Sequence, residues 1–91
     1  MGRETVLFSS KEPKARGDVS AFLRDLADRL DAGRVTLRQG ESEIVMDLPE
    51  QLVLELKVED EEKRRKGIQH SLEVELKWYD GQAHPGGVEL G

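Results

Sequence analysis

Lys63, Arg64, Arg65 and Lys66 are four consecutive cations, and a dense run of this kind could neutralise phosphates on a nucleic acid or another anion. The run Glu59, Asp60, Glu61 and Glu62 stands directly before it and cancels its charge locally. A solvated tip that pairs with itself therefore competes with an anion site. No aromatic side chains interleave with these cations as they do on surfaces that bind single strands.

Other chemistries have weaker material. His70 and His84 lie far apart, and neither has a carboxylate or second histidine at the helical spacing of a zinc site. Ser9, Ser10, Ser20, Ser42 and Ser71 lack the glycine frame of a nucleophile elbow, and the chain has no cysteine to activate. Glu55, Glu73 and Glu75 alternate with Lys57 and Lys77, a pattern of solvated ions that gives no reason for a raised carboxyl pKa. Gly40 and Gly81 form no phosphate-cradling frame. Arg16-Gly17-Asp18 spells an adhesion tripeptide, but Asp18 has a sufficient structural use as a helix cap. No catalytic residue, metal ligand or cofactor site is expected.

Trp78 could serve as a stacking platform. Its place on the apolar side of an alternating run makes core the better reading, because so large a side chain is usually buried. Tyr79 would then point to the polar side, beside Lys57, Glu75 and Lys77. These four residues are the candidate interaction face.

The elements that position these residues must come from a chain of 91 residues with 36% hydrophobic and 36% charged side chains. A domain of this size buries only about 60% of its unfolded surface, so a deep substrate cavity has no room. Fourteen basic and nineteen acidic residues leave a net charge of -5, which disfavours nucleic acid and anionic lipid as partners. The absence of cysteine rules out disulfides and thiolate metal sites. With neither a signal peptide nor a long apolar run, the expected location is cytoplasmic.

The chain opens with a β-prone run, Thr5 to Phe8, read as an edge strand ended by Ser9, Ser10 and Pro13. From Asp18 the period changes: Val19, Phe22, Leu23, Leu26, Ala27 and Leu30 form one stripe of an amphipathic helix. Asp18 suits its N-cap and Gly33 its left-handed C-terminal stop.

The period then becomes two. Val35 and Leu37 alternate with polar residues, Gln39-Gly40 offers a hairpin turn, and Ile44, Met46 and Leu48 follow. Pro49 marks the next turn. Leu52, Leu54, Leu56 and Val58 form a third run, and Leu72, Val74, Leu76 and Trp78 a fourth, with Asp60 to His70 between them as a loop or an extended hairpin tip. A sheet with one apolar face needs a cover, and the helix is the available one. The expected fold class is α+β in two layers: an antiparallel β-sheet of four to five strands, in the order βαββββ, covered on one face by a single amphipathic helix. The domain should span residues 3–79, with a glycine-rich mobile tail at 80–91.

The helix sequence Asp-Val-Ser-Ala-Phe-Leu-Arg-Asp-Leu-Ala-Asp-Arg-Leu at 18–30, the Asp-Ala-Gly-Arg-Val-Thr-Leu that follows, and the alternating Ser-Leu-Glu-Val-Glu-Leu-Lys-Trp at 71–78 resemble the amphi-Trp domain family. These are small acidic bacterial and archaeal proteins named for an amphipathic alternation ending in tryptophan. The similarity covers roughly residues 3–79, and the basic stretch Lys63 to Lys66 and the tail after Tyr79 depart from it. The resemblance implies no activity, cofactor or site residue.

The expectation for function is a non-enzymatic module that binds another protein or assembles as a homo-oligomer through an open sheet face or an edge strand. The alternative is a weak nucleic-acid or anion binder working through Lys63 to Lys66. No membrane contact is expected.

Overall fold

The structure is a computed structural model that describes residues 2–80. The chain divides into two compact units, Met1–Leu48 and Pro49–Gly91. Each is built by short-range sequence logic.

In the first unit, helix α1 spans Arg16–Ala32 and is followed by strands β1, Arg34–Gln39, and β2, Ser42–Asp47. The helix starts earlier than an Asp18 cap would have it. Its N-cap is Ala15, in an extended conformation, and the Ala15 carbonyl already accepts from the N–H groups of Asp18 and Val19 at 3.0 and 3.1 Å. Asp18 therefore lies within the first turn, where its charge complements the helix dipole without capping. The C-terminal stop is as expected: Gly33 has φ 82° and donates to the carbonyls of Arg29 and Leu30.

Strands β1 and β2 pair antiparallel, with Val35 opposite Met46 and Leu37 opposite Ile44. These four share one face. Val35, 2% exposed, is the only buried hydrophobic residue described, and α1 packs against its strand. Gly40, at φ 58°, opens a two-residue turn that matches the twist of the two strands. On the opposite face Arg34 bonds Asp47 at 2.7 Å and Arg38 bonds Glu43 at 2.6 Å.

The run Thr5 to Phe8 is not a strand. Residues 2–15 carry no regular structure, and Val6 and Leu7 are exposed. A four-residue run gains little unless it joins a ladder that packs, and here β1 and β2 pair with each other alone.

The second unit is a long hairpin, β3 at Val53–Lys63 and β4 at Gly67–Lys77. Between the two alternatives for residues 60–70, the strands run on to the tip. Lys66 N–H bonds the Lys63 carbonyl at 3.2 Å, and Gly67 takes φ 88°, which glycine adopts without steric cost.

The expected single sheet of four to five strands is replaced by two separate two-stranded antiparallel sheets, β1-β2 and β3-β4. The break falls where the ladder of β2 ends. Leu48 N–H adds one more rung, to the Gly33 carbonyl at 2.9 Å, and Pro49, which has no donor, stops it there. The coarser expectation stands: the chain is α+β, with one helix and antiparallel strands. The proposed tail falls mostly outside the described residues.

Candidate functional site

The register of the hairpin decides which side chains meet. Leu54 faces Leu76, Leu56 faces Val74 and Val58 faces Leu72 across the ladder. Opposed residues share a face, so six aliphatic side chains line one side of β3–β4. Leu54, Leu56, Val58, Leu72 and Val74 are 59% to 77% exposed, and Leu76 is half-buried. Toward the tip this face turns polar, and His70 Nδ1 contacts Asp60 at 2.5 Å.

The other side is a ladder of ions. Lys77 Nζ lies 2.6 Å from Glu55 and 3.3 Å from Glu75, while Lys57 Nζ lies 3.5 Å from Glu59 and 3.8 Å from Glu73. The hydrogen bond to the Lys77 ammonium, followed by its charge, holds the Glu55 carboxyl below the ordinary carboxylate value. The Lys77 ammonium is raised in turn, first by its hydrogen bonds to Glu55 and Glu75. All four carboxylates are thus paired and solvated. Such ions fix register more than they add stability.

Of the candidate interaction face, the structure gathers Lys57, Glu75 and Lys77 on this ionic side, with Glu55 and Glu73 completing it. Tyr79 lies past the end of β4 and is exposed. Trp78 also follows β4 and is half-buried. The apolar side was legible as alternation, but alternation alone does not tell a covered face from an open one.

The basic run falls at the hairpin tip. Lys63 ends β3 and its ammonium is 3.1 Å from Glu61; Arg64, Arg65 and Lys66 form the turn. Glu59 to Glu62 all lie on β3 and alternate in face, so the acidic run does not fold back as one block over the turn. The Asp60–His70 contact escaped sequence reasoning, although the two residues sit symmetrically about the tip.

Among the described residues no cluster of three His, Asp or Glu side chains has the arrangement of a metal site, and no helix is long and apolar enough to cross a membrane. An open groove in the first unit is lined by Phe8, Val19, Phe22, Leu26, Val35 and Leu37, among others. Its apolar members offer packing surface and no convergent set of catalytic groups.

One amphipathic helix with two antiparallel hairpins, the second having an apolar and an ionic side, makes this a small α+β protein. The chain belongs to the Amphi-Trp domain family, whose model matches residues 1–91. No curated protein and no solved structure matches it.

Proposed function

We propose that the chain is a non-enzymatic protein-interaction or self-associating module, and that hairpin β3–β4 is its contact element. The observation that carries this reading is the row of aliphatic side chains along one side of the hairpin, five of them more than half exposed. An isolated two-stranded hairpin is marginal in water, and each such side chain gains about 1.5–3 kcal/mol when fully buried. A contiguous apolar face on a monomer is characteristic of a binding surface.

The test is to replace Leu72 and Val74 together by Asn and to compare variant and parent. Solution mass is read by light scattering, and bound proteins by affinity capture from extract. The parent assembles or retains a protein partner, and the double variant, with its helical dichroism intact, loses that association. A variant that keeps the same mass and the same partners overturns the apolar side as the contact and leaves only the strand edges of the hairpin for that part; a parent that is monomeric and captures nothing overturns the proposal.

The tip supports a second reading. Arg64, Arg65 and Lys66 stand together in the turn, and no ion pair holds them among the described residues. With three phosphate contacts, log affinity for a duplex should fall with log salt at a slope of about -2.7. Retention on a phosphate matrix at low salt that vanishes when the three become Gln supports this reading; no retention at about 50 mM salt removes it.

A further inference from the structure

We propose that two copies of the chain join along the unpaired edge of β3, antiparallel and about a two-fold axis at Leu56. Leu54 then meets the partner's Val58, and Glu55 meets the partner's Lys57. The inference rests on the reading of β3–β4 as the contact element and specifies its partner and register.

Each hairpin here is a sheet of two strands, so every strand has one edge without a neighbour among the described residues. Along such an edge alternate residues turn their N–H and C=O groups away from the existing ladder. An eleven-residue exposed edge is a template for further pairing. Pairing of like with like is antiparallel about a two-fold axis and must be self-complementary.

The segment Leu54-Glu55-Leu56-Lys57-Val58 meets that condition. Reversed against itself about Leu56, it sets aliphatic against aliphatic on one face. On the other face it sets Glu55 against lysine and Lys57 against glutamate. Opposite charges directly across a ladder are favourable and like charges are not. At the ends Val53 comes opposite the partner's Glu59, which adds no repulsion.

Neighbouring registers fail this criterion. Centred on Lys57, the strand opposes Glu55 to Glu59; centred on Val58, it opposes Leu56 to Asp60 and Glu55 to Glu61. Three self-pairings of the other strands fail too: β4 about Val74 sets Glu73 against Glu75, β1 about Thr36 sets Arg34 against Arg38, and β2 about Val45 sets Glu43 against Asp47. Lys57 in mid-edge would repel most foreign strands and yet fits a second copy of its own. The product is a four-stranded sheet, β4-β3-β3-β4, with both apolar faces on one side.

The chain has no cysteine, so single cysteines report the contact without background. Residues opposed across antiparallel strands have Cα atoms about 4.5–5.5 Å apart, within disulfide reach. In the full chain, Leu56→Cys should form a disulfide-linked dimer under mild oxidation. Val74→Cys lies on the same face but about 14 Å from its counterpart, three strand spacings away, and should link at least roughly tenfold more slowly given that separation. A mixture of Glu55→Cys and Lys57→Cys chains, which leaves Leu56 in place, should link to each other in preference to themselves.

Linking of Val74→Cys as fast as Leu56→Cys overturns edge pairing in favour of face-to-face packing, and leaves the interaction-module reading standing. Absence of every cross-link, with a foreign partner still lost in the Leu72 and Val74 variant, also overturns edge pairing alone. Absence of both overturns the two together.

Discussion

The Lys77 ammonium lies between two carboxylates that face each other across the hairpin, 2.6 Å from Glu55 and 3.3 Å from Glu75. Glu55 and Glu75 are direct cross-strand neighbours, a like-charge arrangement that is unfavourable by itself. Lys77, one diagonal step from Glu55, turns a repulsion into a bridge. Replacing Lys77 by Met should therefore lower the thermal midpoint by a few degrees, a modest effect because all three groups are solvated. Adding Glu75→Gln to that variant should recover part of the loss. Equal and additive losses in the two single variants and their double, measured as a mutant cycle by circular dichroism, would show that the three groups do not act as a unit.

The same bridge sets a pH dependence. The Glu55 carboxyl is held below its ordinary value of 4.5, chiefly by its hydrogen bond to Lys77. Its contribution is therefore complete above that value and is lost as pH falls through the lower folded value. The Lys77 ammonium is raised above 10.5, first by Glu55, so its contribution is complete below that value and disappears as pH rises through the higher folded one. The contribution of this bridge should be flat between the two limits and fall outside them. Denaturant midpoints followed by Trp78 fluorescence test this, and Lys77→Met should blunt both limbs. Limbs of unchanged size in that variant would assign the dependence to other groups.

The helix, its glycine stop and the later strands were legible because each rests on a local period: the stripe from Val19 to Leu30, the left-handed Gly33, and the alternation from Leu54 to Leu76. The errors concern what periodicity does not encode. Thr5 to Phe8 has strand composition but finds no ladder partner. Asp18 has the chemistry of a cap, yet the turn before it closes through the Ala15 carbonyl. One sheet became two: the ladder of β1 and β2 runs one step further, from Leu48 to Gly33, and stops at Pro49, while β3 pairs with β4, and the period of each strand does not encode which strand it joins. On the ionic side Lys57 and Lys77 were singled out from the sequence, whereas which carboxylate each meets follows only from the register.

Val35 gives a test of where the first unit keeps its stability. It is 2% exposed, while Val45 on the opposite face of the same hairpin is 48% exposed. Truncating a buried valine removes transfer energy and leaves a cavity, so Val35→Ala should cost about 2 kcal/mol. Val45→Ala should cost a small fraction of that. Chemical denaturation followed at the helical dichroism band separates the two, and equal losses would mean that the contact of α1 with β1 is not the centre of this unit.

The start of α1 leaves room for improvement. Ala15 holds the extended conformation of an N-cap, with φ -65° and ψ 147°, but has no side-chain oxygen for the open N–H groups of the first turn. Substitution by Asp or Ser supplies that acceptor without asking the backbone to move. Since replacing such a residue by Ala costs about 1 kcal/mol in other helices, Ala15→Asp should stabilise the helix by a comparable amount, with the carboxylate also favoured by the dipole. Ala15→Ser isolates the hydrogen bond from the charge. If Asp stabilises and Ser does not, the gain is electrostatic and should fade with salt; if both do so equally, the gain is the cap. A fall in helix stability with both substitutions would show that Ala15 is held by contacts its extended geometry does not reveal.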